Sequence, residues 1–187
     1  MTILSTQRCL LREMTPEDWL PLSRILQDAD VMYAYEHAFS DDEVSAWLLN
    51  QQRRYREDGF GLWAVLERQS GVMIGQCGIT LQDCQGTTVP EIGYLFRKAS
   101  WHQGYATETA QACKRYAFET LRVPEIYSII RDSNTASLRV ALRNGMSYRG
   151  TCIKHYYGLD MPHRIYSIRK EEMNREEEMT RRSESKE

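Results

Sequence analysis

The chain has 187 residues, enough for one domain with a core built around a cleft, and its 24 basic and 26 acidic residues leave a formal charge of −2. That balance supplies no global field to hold a nucleic-acid backbone or an anionic membrane, and no apolar run approaches the roughly 18 residues that span a bilayer. The five cysteines, Cys9, Cys77, Cys84, Cys113 and Cys152, form no C-x-x-C pair and fall mostly in apolar runs, and the N-terminus has no signal-peptide pattern, so a cytoplasmic protein with reduced thiols is expected.

Cys9-Leu-Leu-Arg12 reads as a first strand. Thr15-Pro16-Glu17-Asp18 then starts a helix, with a Thr cap, Pro at the first helical position and a carboxylate three residues after the cap; Trp19, Leu22, Ile25 and Leu26 share one face. Ser40-Asp-Asp-Glu43 starts a second helix, in which Val44, Trp47 and Leu48 keep helical spacing up to a stop at Gly59. From Leu62 the texture becomes that of strands: Leu62–Leu66, Val72–Leu81 and Thr88–Arg97, separated by turn-rich segments, predict an antiparallel meander. Ala106, Ala110, Cys113, Ala117 and Leu121 mark a helix whose small residues let it sit close to a sheet. Glu125–Arg131 predicts a strand parallel to the Glu91 strand after a helical crossover. A helix from Asn134 to a glycine stop at Asn144-Gly145 follows, then strands at Thr151–Tyr157 and Arg164–Arg169. Residues 171–187 are almost wholly charged and polar and read as a frayed helix or a disordered tail behind a domain spanning 1–170.

The most informative segment is the passage from the Thr88–Arg97 strand through Trp101-His-Gln-Gly104-Tyr-Ala106-Thr107 into a helix. The first amides of a helix have no internal acceptor, the macrodipole favours negative charge there, and a glycine lets the backbone approach an anion, so the turn is a candidate phosphate cradle. Its spacing is neither G-x-x-x-x-G-K-[ST] nor G-x-G-x-x-G. It resembles instead the acetyl-CoA pyrophosphate loop of the Gcn5-related N-acetyltransferases, [Arg/Gln]-x-x-Gly-x-[Gly/Ala]. Gly104 and Ala106 match the last two fixed positions, and Trp101 stands where Arg or Gln is usual. A tryptophan there, followed by Gly-Tyr-Ala-Thr-Glu, is similar to the branch that acetylates ribosomal-protein N-termini, and the element order agrees over about residues 7 to 170.

This resemblance implies an α+β fold with a mixed central sheet of about seven strands flanked by helices. It implies acetyl-CoA as cosubstrate, with the pyrophosphate on the amides of His102, Gln103, Gly104, Tyr105, Ala106 and Thr107, and the pantetheine arm along the strand from Tyr94 to Arg97, where a backbone N–H near Leu95 would meet the oxyanion. Glu91 is the carboxylate best placed as base, against the reading of an ordinary strand glutamate. Asn134-Thr-Ala-Ser137 matches an Asn-x-x-Ser of the same branch: Asn134 caps its helix, contacts the cofactor, or does both, and Ser137 contacts the cofactor or protonates the leaving thiolate. Tyr148, Tyr156 and Tyr157 are alternative acids or packing residues.

His37, His102, His155 and His163 lack metal-ligand spacing, so no metal is expected, and no nucleophile motif points to an acyl-enzyme. Direct attack by an amine in a ternary complex is the simpler mechanism. For the acceptor, a protein N-terminal α-amine, a polyamine and an aminoglycoside-like compound all remain, as does a non-catalytic acyl-CoA sensor. Met32, Tyr33, Tyr35, His37, Phe39 and Trp47 would wall the acceptor side or pack two helices together, and Asp41, Asp42 and Glu43 are placed to attract a cation. A monomer or a homodimer is expected, with neither nucleic acid nor membrane as partner.

Overall fold

The computed structural model describes residues 1–156 and 158–175. Its sheet has eight strands: β1 (Thr2–Ser5), β2 (Cys9–Arg12), β3 (Leu62–Glu67), β4 (Met73–Cys84), β5 (Thr87–Phe96), β6 (Glu125–Arg131), β7 (Ser147–Tyr156) and β8 (Leu159–Arg169). They lie in the order β1-β2-β3-β4-β5-β6-β8-β7. The strand beyond the expected seven is β1, whose four residues are too few to show alternation; it is defined by pairing with β2. Every neighbouring pair is antiparallel except β5 and β6, which run parallel and pair only at Glu91 and Tyr127.

The two faces are covered by α1 (Trp19–Leu26), α2 (Asp41–Glu57), α3 (Tyr105–Glu119) and α4 (Thr135–Arg143). On one face Leu22, Ile25 and Leu26 of α1 and Val44 and Leu48 of α2 pack on Leu62 and Ala64. On the other, Ala110, Cys113, Ala117 and Phe118 of α3 and Val140 and Ala141 of α4 pack on Cys77, Ile79, Ile92 and Ile126. The small residues of α3 bring it down onto the sheet until the Cys113 and Cys77 sulfurs lie 3.6 Å apart. Helix starts follow their sequence signals. The Thr15 amide donates to Asp18 at 2.8 Å, and at Ser40 a capping box closes as the Ser40 amide donates to Glu43 (2.8 Å) and the Glu43 amide to the Ser40 hydroxyl (3.3 Å).

Residues 170–175 are helical, and Met173 is buried in the α3-side core. The rest of the charged tail, 176–187, and Tyr157 lie outside the described residues.

Candidate active site

Two features of β5 open a cleft beside it. The bond from the Arg97 N–H to the Ile74 carbonyl (2.9 Å) sets the phase of the β4–β5 ladder. Because antiparallel bonding alternates, the amides of Leu95, Gly93 and Glu91 also face β4, while those of Ile92, Tyr94 and Phe96 face β6. Beyond Glu91 that β6 side is not paired: a continued parallel ladder would send the Ile129 N–H to β5 backbone, yet this amide donates to the Glu91 carboxylate at 2.6 Å. The Glu91 side chain thus ends the ladder, and the strands part from there to Phe96. Near Leu95, where an arm-facing amide is expected, the open one is that of Tyr94, since the Leu95 N–H faces β4.

The parted strands floor a cleft of about 730 Å³ that runs from the Gly104 turn past Tyr94 and Leu95 to Glu91 and on to Lys154 and His163. At its α3 end Gly104 is left-handed (φ 82°), as is His102 (φ 59°). The Glu108 amide already bonds the Gly104 carbonyl (3.0 Å), so Tyr105, Ala106 and Thr107 carry the first-turn amides that no i−4 carbonyl reaches. Those amides, with the dipole behind them, make the site an anion cradle.

Of the expected cofactor residues, Leu95, His102, Gly104, Tyr105, Ala106, Thr107, Asn134 and Ser137 line this cleft; Arg97 and Gln103 do not. The Arg97 amide is committed to Ile74 and its carbonyl accepts from Ser100 (2.8 Å), closing the turn that follows β5. Gln103 turns outward, its side-chain amide donating to the Ala99 carbonyl at 2.9 Å. In this structure both residues shape the loop rather than line the cleft.

Arg8, which no local motif singles out, holds that loop from across the sheet. Its guanidinium donates to the Gln103 carbonyl (2.9 Å) and to Glu108 (2.7 Å) and lies 4.4 Å from the centroid of the Tyr105 ring. The Tyr105 hydroxyl is anchored on Glu67 at 2.8 Å, so Tyr105 offers the cleft its backbone end.

Asn134 caps α4, its Oδ1 accepting the Ser137 amide at 3.0 Å. The same oxygen accepts from the Tyr33 hydroxyl at 2.7 Å, a contact across the cleft that sequence spacing could not show. The Tyr94 side chain adds a role the sequence did not show: its hydroxyl donates to the Ser137 carbonyl (3.4 Å), and burial raises its pKa, so it is a protonated donor at neutral pH. Of the tyrosines considered as acids, Tyr156 lines the cleft beside His163, whereas Tyr148 is 55% exposed and packs on Tyr166 outside it.

Glu91 projects to the α1/α2 face. Burial, opposed by the Ile129 amide and by the fields of Lys154 and Arg54, raises its pKa to about 7. A carboxyl poised at neutrality in a cleft is suited to taking a proton. Tyr35, Phe39 and Trp47 wall the cleft above it and meet edge to face, with centroids 5.7 to 6.4 Å apart. Met32 and His37 do not line it: Met32 is buried in the α1/α2 core, and His37 bonds Glu43 at 2.8 Å. Glu43 closes the cap of α2 and Asp41 accepts from Gln27 (2.7 Å), so these two carboxylates are engaged in the fold, and none of Asp41, Asp42 and Glu43 lines the cleft.

A strand, an unpaired backbone edge, a left-handed glycine turn and a helix N-terminus in this order match an acyl-CoA transferase, and a family model described as an acetyltransferase (GNAT) domain matches residues 8–147. This chain belongs to the GNAT acetyltransferases. YkkB, an uncharacterized protein of Bacillus subtilis (strain 168), is 37% identical over 154 residues, or 82% of this chain and 90% of its own. The crystal structure of a GNAT-family acetyltransferase from Bacillus anthracis has a TM-score of 0.76 at 24% identity, covering 91% of this chain and 99% of that one. RimL, a ribosomal L7/L12 alpha-N-protein acetyltransferase in complex with coenzyme A, has a TM-score of 0.73 at 15% identity, covering 90% and 98%. GNAT enzymes transfer acetyl groups from acetyl-CoA to amines, and the cradle and open β5 edge of this GNAT chain suit such a cosubstrate. Among the described residues no helix is long and apolar enough to cross a membrane.

Proposed function

We propose that this GNAT enzyme transfers acetyl from acetyl-CoA to a primary amine by direct attack in a ternary complex, with a protein or peptide α-amine as acceptor, as in the ribosomal-protein branch. When bound, acetyl-CoA supplies an acyl group activated as a thioester. The amides of Tyr105, Ala106 and Thr107 hold its pyrophosphate, and the β5 edge at Tyr94 and Phe96 holds its arm as an added strand would be held. Glu91 takes the proton from the incoming amine. The Tyr94 amide, aimed into the opening, donates to the oxyanion that develops on the acyl carbon. As that oxyanion collapses the C–S bond breaks, and a hydroxyl at the α4 side of the same opening, Ser137 or Tyr94, gives its proton to the leaving CoA thiolate.

The observation that carries this reading is Glu91 itself: one carboxyl ends the β5–β6 ladder and has its pKa raised to about 7 where the amine must lose a proton. RimL, an alpha-N-protein acetyltransferase, lends support to the choice of acceptor. The test is release of free CoA thiol on adding peptides, polyamines or aminoglycosides to enzyme and acetyl-CoA. Acceptor-dependent release with peptides supports the reading. Tight acetyl-CoA binding without release from any acceptor overturns it in favour of an acyl-CoA sensor.

A further inference from the structure

Around Glu91 the cleft wall carries two cations, Arg54 from α2 and Lys154 from β7. Three other partly buried guanidiniums are paired with carboxylates: Arg8 with Glu108, Arg12 with Asp18 and Arg131 with Glu36. Arg54 is also partly buried, yet neither it nor Lys154 has an ion pair or a side-chain hydrogen bond among the described residues. Desolvation lowers the Arg54 pKa, and Asp58 and Glu91 act on it only through the field. The other carboxylates in range, Asp83 and Asp132, are exposed and outside the cleft wall. His163, on the same wall, adds no cation. Its Nδ1 lies 2.8 Å from the Met161 carbonyl and burial lowers its pKa, which keeps the ring neutral.

A half-buried guanidinium beside an ammonium is costly when the one carboxylate acting on both, Glu91, is only part-ionised at neutrality and bonds to neither. The missing charge must come with the ligand. We infer that Arg54 and Lys154 form an anion subsite of the acceptor, so that the acceptor is an amine carrying a carboxylate close to it: an α-amine followed by an acidic residue. This rests on the acetyl-transfer reading above and names its substrate class. Polyamines and aminoglycosides would instead set further ammonium groups against two cations. The carboxylate engages Arg54 and Lys154 while the amine reaches Glu91, which orients the nitrogen lone pair toward the opening at Tyr94.

The test compares the tripeptides Ala-Glu-Ala, Ala-Gln-Ala and Ala-Lys-Ala, free glutamate and spermidine as acceptors, read by CoA thiol release. Losing one charge-assisted hydrogen bond changes kcat/KM by about tenfold to a hundredfold. Ala-Glu-Ala is therefore expected to exceed Ala-Gln-Ala by at least about tenfold, with Ala-Lys-Ala lower still. Free glutamate outrunning Ala-Glu-Ala would identify the source as a free amino acid, with the subsite retained. Arg54→Gln and Lys154→Gln are each expected to shrink the Glu-over-Gln preference by about tenfold, chiefly through KM, and Arg54→Glu to reverse it toward Ala-Lys-Ala. Calorimetric acetyl-CoA binding and a thermal melt check that each variant is folded. Equal turnover of the three tripeptides, or an unchanged preference in folded Arg54 and Lys154 variants, overturns the subsite and leaves acetyl transfer standing. Absence of turnover with every acceptor overturns acetyl transfer itself, and the subsite with it.

Discussion

Glu91→Gln separates the two roles of Glu91, because glutamine keeps an oxygen to accept the Ile129 amide and loses the ability to take a proton. The ordinary carboxyl pKa of 4.5 is raised to about 7 in the folded protein. At about 1.4 kcal/mol per pH unit, that gap is worth about 3 kcal/mol. The sign follows from proton counts. Between pH 4.5 and 7 the folded protein holds a proton that the unfolded chain has released, so rising pH favours unfolding across that window and has no further effect above it. The Gln variant lacks this loss. Denaturant unfolding is therefore expected to show the variant gaining about 2.5 kcal/mol on wild type between about pH 5 and pH 8. Turnover should move the other way. Wild-type kcat/KM rises with an inflection near pH 7 as Glu91 ionises; the variant loses that inflection, keeps the one due to the amine, and falls by about 10²- to 10⁴-fold, with acetyl-CoA affinity little changed. A stability difference flat in pH, or an inflection near pH 7 that survives in the variant, would refute the assignment of Glu91 as a neutral-range base.

Three further substitutions probe the scaffold. Gly104→Glu places a side chain at φ 82° where only the Arg8 guanidinium, 3.5 Å from the new Cβ, is near; about 1 kcal/mol of strain leaves the protein folded, while acetyl-CoA binding by calorimetry should be abolished by like charge. Arg8→Ala removes the hold on Gln103 and Glu108, and the KM for acetyl-CoA is expected to rise by about tenfold with a smaller change in kcat, as measured at saturating acceptor. Gly78→Ala would set a Cβ 2.0 Å from the Gly61 carbonyl oxygen, a backbone clash between β4 and the start of β3, so a loss of at least about 2 kcal/mol in chemical denaturation is expected.

Much of the site could be read along the chain because its parts are local. A glycine turn feeding a helix, with Gly104 and Ala106 two apart, is a property of one short segment, and so is the Asn134 cap that accepts from Ser137. Capping boxes and the alanine stripe of α3 are equally short-range, since helix geometry alone puts residues three and four apart on one face. What escaped depends on residues brought together from far along the chain. Arg8 meets Gln103 and Glu108 about a hundred residues away, and Tyr33 meets Asn134 at a similar remove. Which amide near Leu95 is open is of another kind: period-two alternation makes neighbouring amides face opposite ways, and only the Arg97–Ile74 bond tells which set faces the cleft.

By itself, then, the order of amino acids determined the element types and their sequence except β1, and marked the Gly104 turn as a candidate anion site, because propensity, capping and turn chemistry act over a few residues. The tertiary structure decided which β5 amides face the opening and that Glu91 ends the β5–β6 ladder. It also decided that Arg54 and Lys154 stand around that carboxylate with no ion pair among the described residues. Burial, electrostatic fields and ladder phase belong to groups assembled from distant parts of the chain, and none of them exists until the sheet has closed around the cleft.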